Sequence, residues 1–217
     1  MSNYPAIYLI GLTGGIACGK SSVLEILTSL GARTIDADQV THRLQQPGTK
    51  VYQQIVATFG SEIVGTDGAI DRRKLGAVVF QDPVRLRQLE QIVHPAVRAD
   101  MQATLAEANR AAHEVGGSER PVVVIDAIKL IESGWATACD QVWVVTCSTE
   151  QQIERMVTTR KLSEGEARAR IAAQVDPASR LPYADLVIDN RGSRAQTRAQ
   201  VEAAWQQLAP LRRVAQA

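Results

Sequence analysis

Residues Gly14 to Ser21 read GGIACGKS, with two glycines five positions apart followed by lysine and serine. This pattern predicts a phosphate-binding loop, because glycines let the backbone curl until successive N–H groups point at phosphate oxygens. The apolar run at 7–12 predicts a buried strand, and the apolar residues after Lys20 recur at helical spacing. The helix would add the positive end of its dipole to the loop. A glycine turn that only ends a strand is the weaker interpretation, because the lysine and serine follow at the required spacing.

Composition narrows the class of protein further. A chain of 217 residues is long enough for one sizeable core, and its net charge of +1 argues against a dedicated nucleic-acid binder. No apolar run approaches the roughly 20 residues that cross a bilayer, and the N-terminus lacks the features of a secretion signal. Three cysteines without metal-like spacing then predict reduced thiols in the cytoplasm. We expect neither nucleic-acid nor membrane partners, and a monomer with an oligomer as the alternative. Within the loop, Cys18 is expected to be a small filler with a pKa lowered by the helix dipole.

Strands and helices are predicted to alternate along the chain. The helix after the loop should stop at Gly31, and a short strand at 33–36 should follow it. The apolar runs at 122–126, 142–147 and 186–188 predict further strands, which implies a parallel sheet covered on both faces. The segment from Pro47-Gly48 to about Ala112 should be mostly helical, with breaks at Gly60, Asp67-Gly68, Asp82-Pro83 and His94-Pro95.

Polar residues at two later helix starts have the spacing of capping boxes. One helix is predicted to begin after Ser148, which pairs with Gln151, and another after Ser163, which pairs with Glu166. The second of these helices should be rich in arginine and run to about Gln174. A C-terminal amphipathic helix should open after 192–193.

Several longer motifs accompany the loop and are much more specific than the loop alone. They include 11–21, 30–32, 35–38, 67–72, 82–83, 162–163 and 187–190. On these motifs the chain resembles the dephospho-CoA kinases, a P-loop family similar to nucleoside-monophosphate kinases. The resemblance covers almost the whole chain and implies ATP-dependent phosphorylation of the ribose 3′-hydroxyl of dephospho-coenzyme A, with Mg²⁺. This reaction is the last step of coenzyme A synthesis.

The resemblance also implies an architecture. We expect an α/β three-layer sandwich with a five-stranded parallel sheet, a helical substrate-binding insertion and a lid. The nucleotide-binding core would comprise 1–36, 119–152 and 183–217. The coenzyme-binding insertion would comprise 37–118, and the lid 153–182.

Roles are assigned to residues on the same basis. Lys20 should reach the outer phosphates, and Ser21 should hold the metal. Asp126 is also expected at the metal, with a purely structural role as the alternative. Asp36 is the expected base for the 3′-hydroxyl, with a helix cap or an outer-sphere metal ligand as alternatives, while Asp38 is the expected cap. The nucleotide-binding residues are Gly15, Ile16, Ala17, Cys18, Gly19, Lys20, Ser21 and Ser22.

The lid and coenzyme sides carry the remaining candidates. Arg160 is expected to contact the transferring phosphate, with Arg155 and Arg170 as rivals, because the family's usual arginine spacing falls on Thr159. The coenzyme-side candidates are Asp71, Arg72, Leu75 and His94. Arg72 would pair with substrate phosphates, or else Asp71 and Arg72 form a charge network at a helix N-terminus. His94 has no neighbouring ligand residue and is expected to be a substrate contact or a helix-end residue.

Departures from the family pattern leave alternatives open. Ala17 stands where the family usually has glycine, and Ser22 where it has threonine. Lys129 stands in a segment where the family usually has Pro-Leu-Leu, and is either solvated or an extra phosphate contact. A kinase for another small hydroxylated substrate and a nucleotide-binding protein without turnover are the competing functions. A GTPase is disfavoured because no Asn-Lys-x-Asp sequence occurs.

Overall fold

The computed structural model of the chain describes residues 3–175 and 177–213. Five strands form one sheet in the order β2-β3-β1-β4-β5, and β1 pairs in parallel with both β3 and β4. The expected α/β fold with a five-stranded parallel sheet is confirmed. The strands are β1 (Tyr8–Gly14), β2 (Arg33–Asp36), β3 (Val122–Asp126), β4 (Gln141–Thr146) and β5 (Leu186–Asp189).

Helices fill most of the chain between the strands. Both predicted capping boxes are present, and a third is formed by Ser193 with Gln196. Short 3₁₀ helices cover Ser61–Ile63, Trp135–Ala138 and Pro177–Tyr183. The α-helices are α1 (Lys20–Ser29), α2 (Ala37–Leu44), α3 (Lys50–Phe59), α4 (Arg72–Val79), α5 (Pro83–Val115), α6 (Thr149–Arg160), α7 (Glu164–Ala172) and α8 (Arg194–Leu208).

Strand boundaries differ from the sequence prediction at the central strand. β1 was expected at 7–12 but continues to Gly14, because its ladder with β4 extends until Gly14 stands opposite Val145. On the other side, Leu12 stands opposite Asp126 at the end of β3. The ends of β1 and β3 therefore lie at the same edge of the sheet, where parallel α/β folds place ligands.

The prediction of a helix break at His94-Pro95 was wrong. The helix α5 runs without interruption from Pro83 to Val115, with Pro95 inside it. An internal proline costs about 3 kcal/mol, because one N–H is lost and the ring crowds the preceding turn. The same helix buries Val93, Met101 and Leu105. Each such side chain contributes about 1.5–3 kcal/mol, which outweighs the cost of the proline.

The chain folds as two compact units. One comprises the chain up to Ile35 and from Glu107 onward, and the other runs from Asp36 to Ala106. The first unit has a core of sheet residues packed against α1 and α8, with Trp143 completely buried. The second unit has its own core around Ile55, Ile63 and Leu75. Among the described helices, none has the length and apolar character needed to span a membrane.

Candidate active site

The phosphate loop joins β1 to α1 in the first unit. At Gly14, a Cβ atom would come within 2.5 Å of the Val145 carbonyl oxygen, so a side chain cannot be accommodated. Gly19 precedes α1 in the left-handed region with φ 90°, and Ala17 is also left-handed with φ 56°. A non-glycine residue in this region carries about 1–2 kcal/mol of steric strain. The strain explains physically why glycine at position 17 would suit the loop.

Three successive carbonyl groups of the loop are held by side chains from outside it. Because N–H and C=O point in opposite directions across a trans peptide, anchoring these carbonyls turns the following N–H groups to the other side. The N–H of Cys18 closes a turn onto Gly15 O. The N–H groups of Ala17 and Gly19 follow the anchored carbonyls of Ile16 and Cys18, so they are directed away from the anchors. The anchoring bonds are Gln152 Nε2 to Ile16 O at 2.7 Å, an Arg155 guanidinium N–H to Ala17 O at 3.1 Å, and Asn190 Nδ2 to Cys18 O at 2.7 Å.

The anchors come from segments that follow the neighbouring strands β4 and β5. Gln152 and Arg155 lie on α6, and Gln152 is only 3% exposed. Asn190 follows β5, and its Oδ1 accepts a hydrogen bond from the Thr197 hydroxyl at 2.7 Å. Arg155 also donates to Asn190 O at 3.1 Å, which ties the two anchoring segments together.

A second glutamine, Gln174, binds the backbone N–H of Ile16. The Ile16 N–H donates to Oε1 of Gln174 at 2.8 Å, while Ile16 O accepts from Gln152. Ile16 also packs against the small apolar cluster of α6 and α7 that contains Ile153 and Met156. Two side-chain amides and an apolar contact therefore determine how this part of the loop is oriented.

Sequence reasoning missed Gln152, used Asn190 only within a family motif, and named Gln174 as the approximate end of a predicted helix. Gln152 carries one usable signal: it is a polar residue beside the buried Ile153 and Met156 on the inner face of α6. Such a residue has to find a partner, because a buried unpaired amide is costly. Which partner it finds depends on the tertiary structure, since Ile16 is 136 residues away.

Lys20 and Asp126 form an ion pair at the edge of the sheet. Lys20 Nζ lies 3.0 Å from Asp126 Oδ1, and the two side chains are 14% and 13% exposed. Water is largely excluded from such a pair, so its electrostatic interactions are stronger than those of a surface pair. Ser21 follows Lys20 in the first turn of α1 and is exposed. The structure thus brings together Lys20, which was expected to bind phosphate, and Asp126, which was expected to bind the metal.

A cavity of about 360 Å³ adjoins the loop within the first unit. Its lining includes Gly19, Ser22, Arg155, Arg160 and Asn190. Arg160, the last residue of α6, is exposed there, while Arg155 donates to the loop carbonyl of Ala17.

Other candidates of the first unit lie near the surface. Arg170 is on the exposed surface of α7. Lys129 is exposed, but its neighbour Leu130 is completely buried against Gly11 of β1, and Ile128 O accepts from Thr13. The unusual segment is therefore fixed to the central strand by its apolar residues.

Asp36, in the second unit, is the N-cap of α2. Its Oδ1 accepts hydrogen bonds from the N–H groups of Asp38 and Gln39 at 2.8 and 3.0 Å. Asp38, which was expected to be the cap, lies in the first turn instead. The expectation was wrong because the cap is the last non-helical residue, and the chain is extended at Asp36.

Three of the coenzyme-side candidates, Asp71, Arg72 and Leu75, lie at the N-cap and in the first turns of α4. Asp71 caps this helix, and hydrogen bonds from the Lys74 and Arg73 N–H groups hold the pKa of Asp71 below its ordinary value. Arg72 is exposed and lies 2.6 Å from the Nδ1 atom of His42. Among the other candidates, the side chain of Leu75 packs in the core of the unit, and His94 is exposed on α5.

Replacing Gln152 by leucine is expected to weaken nucleotide binding at the loop about tenfold. The change keeps the apolar volume but leaves Ile16 O without its donor, which costs about 1–3 kcal/mol. Glu154→Leu, two positions along the same helix on its exposed side, is the control. Calorimetric titration with ATP as the nucleotide would test this. A fall in thermal stability with unchanged nucleotide affinity would contradict the role in positioning the loop.

Comparisons with known proteins agree with this geometry. The dephospho-CoA kinase family model matches residues 8–196. A dephospho-CoA kinase of Symbiobacterium thermophilum is 50% identical over 91% of this chain and 80% of its own length. Among solved structures, TT1252 from Thermus thermophilus has a TM-score of 0.79 at 30% identity, covering 94% of this chain and 98% of its own. A dephospho-CoA kinase from Campylobacter jejuni has a TM-score of 0.62 at 26% identity, covering 94% and 99%. The chain therefore belongs to the dephospho-CoA kinase family.

Proposed function

We propose that this kinase transfers the γ-phosphoryl group of ATP to the ribose 3′-hydroxyl of dephospho-coenzyme A, giving coenzyme A and ADP. The observation that carries the proposal is the anchored phosphate loop with Lys20 at its end. The N–H groups of Ala17 and Gly19 turn away from the anchoring side chains, and α1 begins immediately after them. Such an arrangement suits the phosphates of a nucleotide.

The residues at the edge of the sheet also suit a divalent metal. Ser21 supplies a hydroxyl and Asp126 a carboxylate, and Mg²⁺ prefers oxygen ligands of this kind. We assign the metal to these two side chains. When bound with ATP, Mg²⁺ neutralises charge on the phosphates. Lys20, already held beside Asp126 at 3.0 Å, supplies a second positive charge to the same region.

The nucleoside part of ATP fits the cavity beside the loop. Its volume of about 360 Å³ falls in the range of small-molecule sites, which is roughly 300–1,000 Å³. The cavity opens next to Gly19 and Ser22, so a nucleotide with its phosphates in the loop can place its base there. Arg160 at the cavity wall is our candidate for contacting the transferring phosphoryl group.

The transfer step requires an acceptor for the proton of the hydroxyl. The 3′-oxygen forms a bond to the γ-phosphorus, the bond from that phosphorus to ADP breaks, and the hydroxyl proton passes to Asp36. Both cap hydrogen bonds of Asp36 go to Oδ1, and Oδ2 has no hydrogen bond within the described part of the chain. A carboxylate can therefore cap α2 with one oxygen and accept a proton on the other.

The coenzyme is proposed to bind the helical insertion at 37–118. The exposed guanidinium of Arg72, beside His42, suits a phosphate of the substrate. His94 supplies a further exposed polar group, while Asp71 and Leu75 hold α4 in place through its cap and its buried face. The segment at 153–182, which carries Arg160, is proposed to act as the lid.

Mass spectrometry of the product tests the proposed reaction. The enzyme is incubated with ATP, Mg²⁺ and dephospho-coenzyme A, and the same mixture without the coenzyme serves as the control. We expect a mass gain of one phosphoryl group at the ribose and one ADP per product. ATP binding without this product would contradict the proposed substrate, and a parallel incubation with nucleosides and sugar acids would then test other acceptors.

A further inference from the structure

Two of the three cysteines lie in contact at the phosphate loop. Cys18 Sγ is 3.1 Å from Cys147 Sγ, although the residues are 129 positions apart. A disulfide bond is about 2.05 Å long, so the sulfur atoms are about 1 Å from bonding distance. Cys18 is 4% exposed, while Cys147, between β4 and the Ser148 cap of α6, is partly exposed. A small oxidant therefore has access to the pair from the side of Cys147.

Hydrogen bonds give the two sulfur atoms different characters. The Cys147 thiol donates to Cys18 Sγ, and Gln152 Nε2 also donates to it at 3.3 Å. The Cys147 hydrogen bond is the main reason that the pKa of Cys18 is lowered to about 7, and the charge of Arg155 adds to the effect. The same hydrogen bond raises the pKa of Cys147. The sequence had suggested the helix dipole as the cause, whereas the main cause is the second cysteine.

We propose that Cys18 and Cys147 form a reversible disulfide bond under peroxide and that this bond weakens nucleotide binding. The inference rests on the proposed function only in assuming that ATP occupies the loop. It assigns to the loop a modification site in addition to its role in binding phosphates.

The chemistry needs one equivalent of hydrogen peroxide. The Cys18 thiolate attacks a peroxide oxygen, an S–O bond forms, the O–O bond breaks and hydroxide leaves to become water. The Cys147 sulfur then attacks the Cys18 sulfur, an S–S bond forms and the S–O bond breaks. The departing hydroxyl group takes the Cys147 proton and leaves as water, so two thiols are oxidised and one peroxide is reduced to two molecules of water. A dithiol reductant reverses the reaction by thiol–disulfide exchange.

Closing the gap of about 1 Å would disturb the loop itself. Cys18 lies between Ala17 and Gly19, and its carbonyl is fixed by Asn190 at 2.7 Å. Moving Cys18 toward Cys147 would shift this peptide and remove the acceptor of the Gln152 hydrogen bond. Binding geometries tolerate errors of about 0.5 Å. The amide groups that cradle the phosphates would therefore be misplaced in the oxidised protein.

Cys139 provides a matched control within the same chain. It donates a hydrogen bond to Trp135 O at 3.3 Å, and burial raises its pKa to about 12. It is also a free thiol of the first unit, but no contact joins it to Cys18 or Cys147 in the described residues. Cys139→Ser should therefore keep the sensitivity to peroxide, whereas Cys147→Ser should lose it.

The test measures the cross-link and ATP binding separately. Purified enzyme is treated with hydrogen peroxide, digested without reductant and analysed by mass spectrometry, and ATP affinity is measured by calorimetry without coenzyme. We expect a peptide pair joined through Cys18 and Cys147 with the loss of two hydrogens, and an ATP Kd at least tenfold weaker. Both changes should be reversed by dithiothreitol. Cys147→Ser should bind ATP normally before and after treatment.

Other outcomes overturn the inference. These are Cys18 oxidised to a sulfinic acid without a cross-link, a cross-link with unchanged ATP affinity, or a loss of affinity that persists in Cys147→Ser. If that variant does not fold, the unsubstituted protein still decides the question through its cross-link and its recovery with reductant. Neither readout uses dephospho-coenzyme A, so a wrong acceptor in the proposed function would leave a positive result intact.

Discussion

Lys20→Ala is expected to lower kcat by on the order of 10³-fold, as the loss of one preorganised charge at a transferring group does. The variant removes the ammonium group of Lys20, which lies 3.0 Å from Asp126 at the end of the phosphate loop. Lys20→Met would keep the apolar length of the side chain while removing the charge. Comparing it with Lys20→Ala separates the effect of the lost charge from the effect of lost packing. Single-turnover measurement of phosphoryl transfer at saturating ATP gives the effect on the chemical step.

Two controls separate catalysis from folding in the Lys20 variants. Lys50→Ala changes an exposed lysine at the start of α3 and should leave kcat unaltered. Adding Asp126→Asn to Lys20→Ala removes the carboxylate left behind in a largely buried site, and should recover stability without recovering turnover. A Lys20→Ala enzyme that folds and keeps most of its kcat would show that the lysine does not stabilise the transferring phosphate.

Asp36→Asn is expected to lower kcat by on the order of 10²–10³-fold while leaving ATP affinity nearly unchanged. Asparagine caps a helix about as well as aspartate, so the hydrogen bonds from the Asp38 and Gln39 N–H groups should persist. What is lost is the carboxylate oxygen that we propose as the acceptor of the hydroxyl proton. Kinetics with both substrates varied, together with calorimetric ATP binding, separate the two effects.

Asp82 offers a matched control for this substitution. It lies before α5, and its Oδ1 accepts from the N–H groups of Val84 and Arg85 in the same way. Asp82→Asn should therefore change neither kcat nor the melting temperature appreciably. If Asp36→Asn weakened only ATP binding, or lowered activity no more than Asp82→Asn, the assignment of Asp36 as the base would be wrong.

Local signals were sufficient for much of the fold. The strand at 122–126 and the helix starts at Ser148 and Ser163 were predicted correctly, because apolar runs and capping boxes act within a few residues. The predicted helix break at Pro95 was wrong, since the burial of α5 residues on both sides of the proline outweighs the tendency of proline to interrupt a helix. Similarly, β1 extends beyond its apolar run because its pairing with β4 continues as far as Gly14.

The candidate site was only partly accessible from the sequence. The phosphate loop, Lys20 and Asp126 were identified from motifs, and the structure brings Lys20 and Asp126 together. The anchors Gln152 and Asn190 do not have a motif of their own that points to the loop, since their partners are 136 and 172 residues away. Contacts over such separations depend on the order of the strands, which residue types alone do not specify.

The sequence by itself determined where the phosphate loop lies, because its glycines, Lys20 and Ser21 act over eight consecutive residues. It also determined the family and the alternation of strands and helices. Only the tertiary structure decided what orients the loop and what faces Cys18. Placing β4 beside β1, and β5 beside β4, brings α6 and Asn190 against the loop carbonyls, and puts Cys147 3.1 Å from Cys18. Hydrogen bonds and sulfur contacts depend on distances of a few ångströms, and such distances exist only once the sheet has formed.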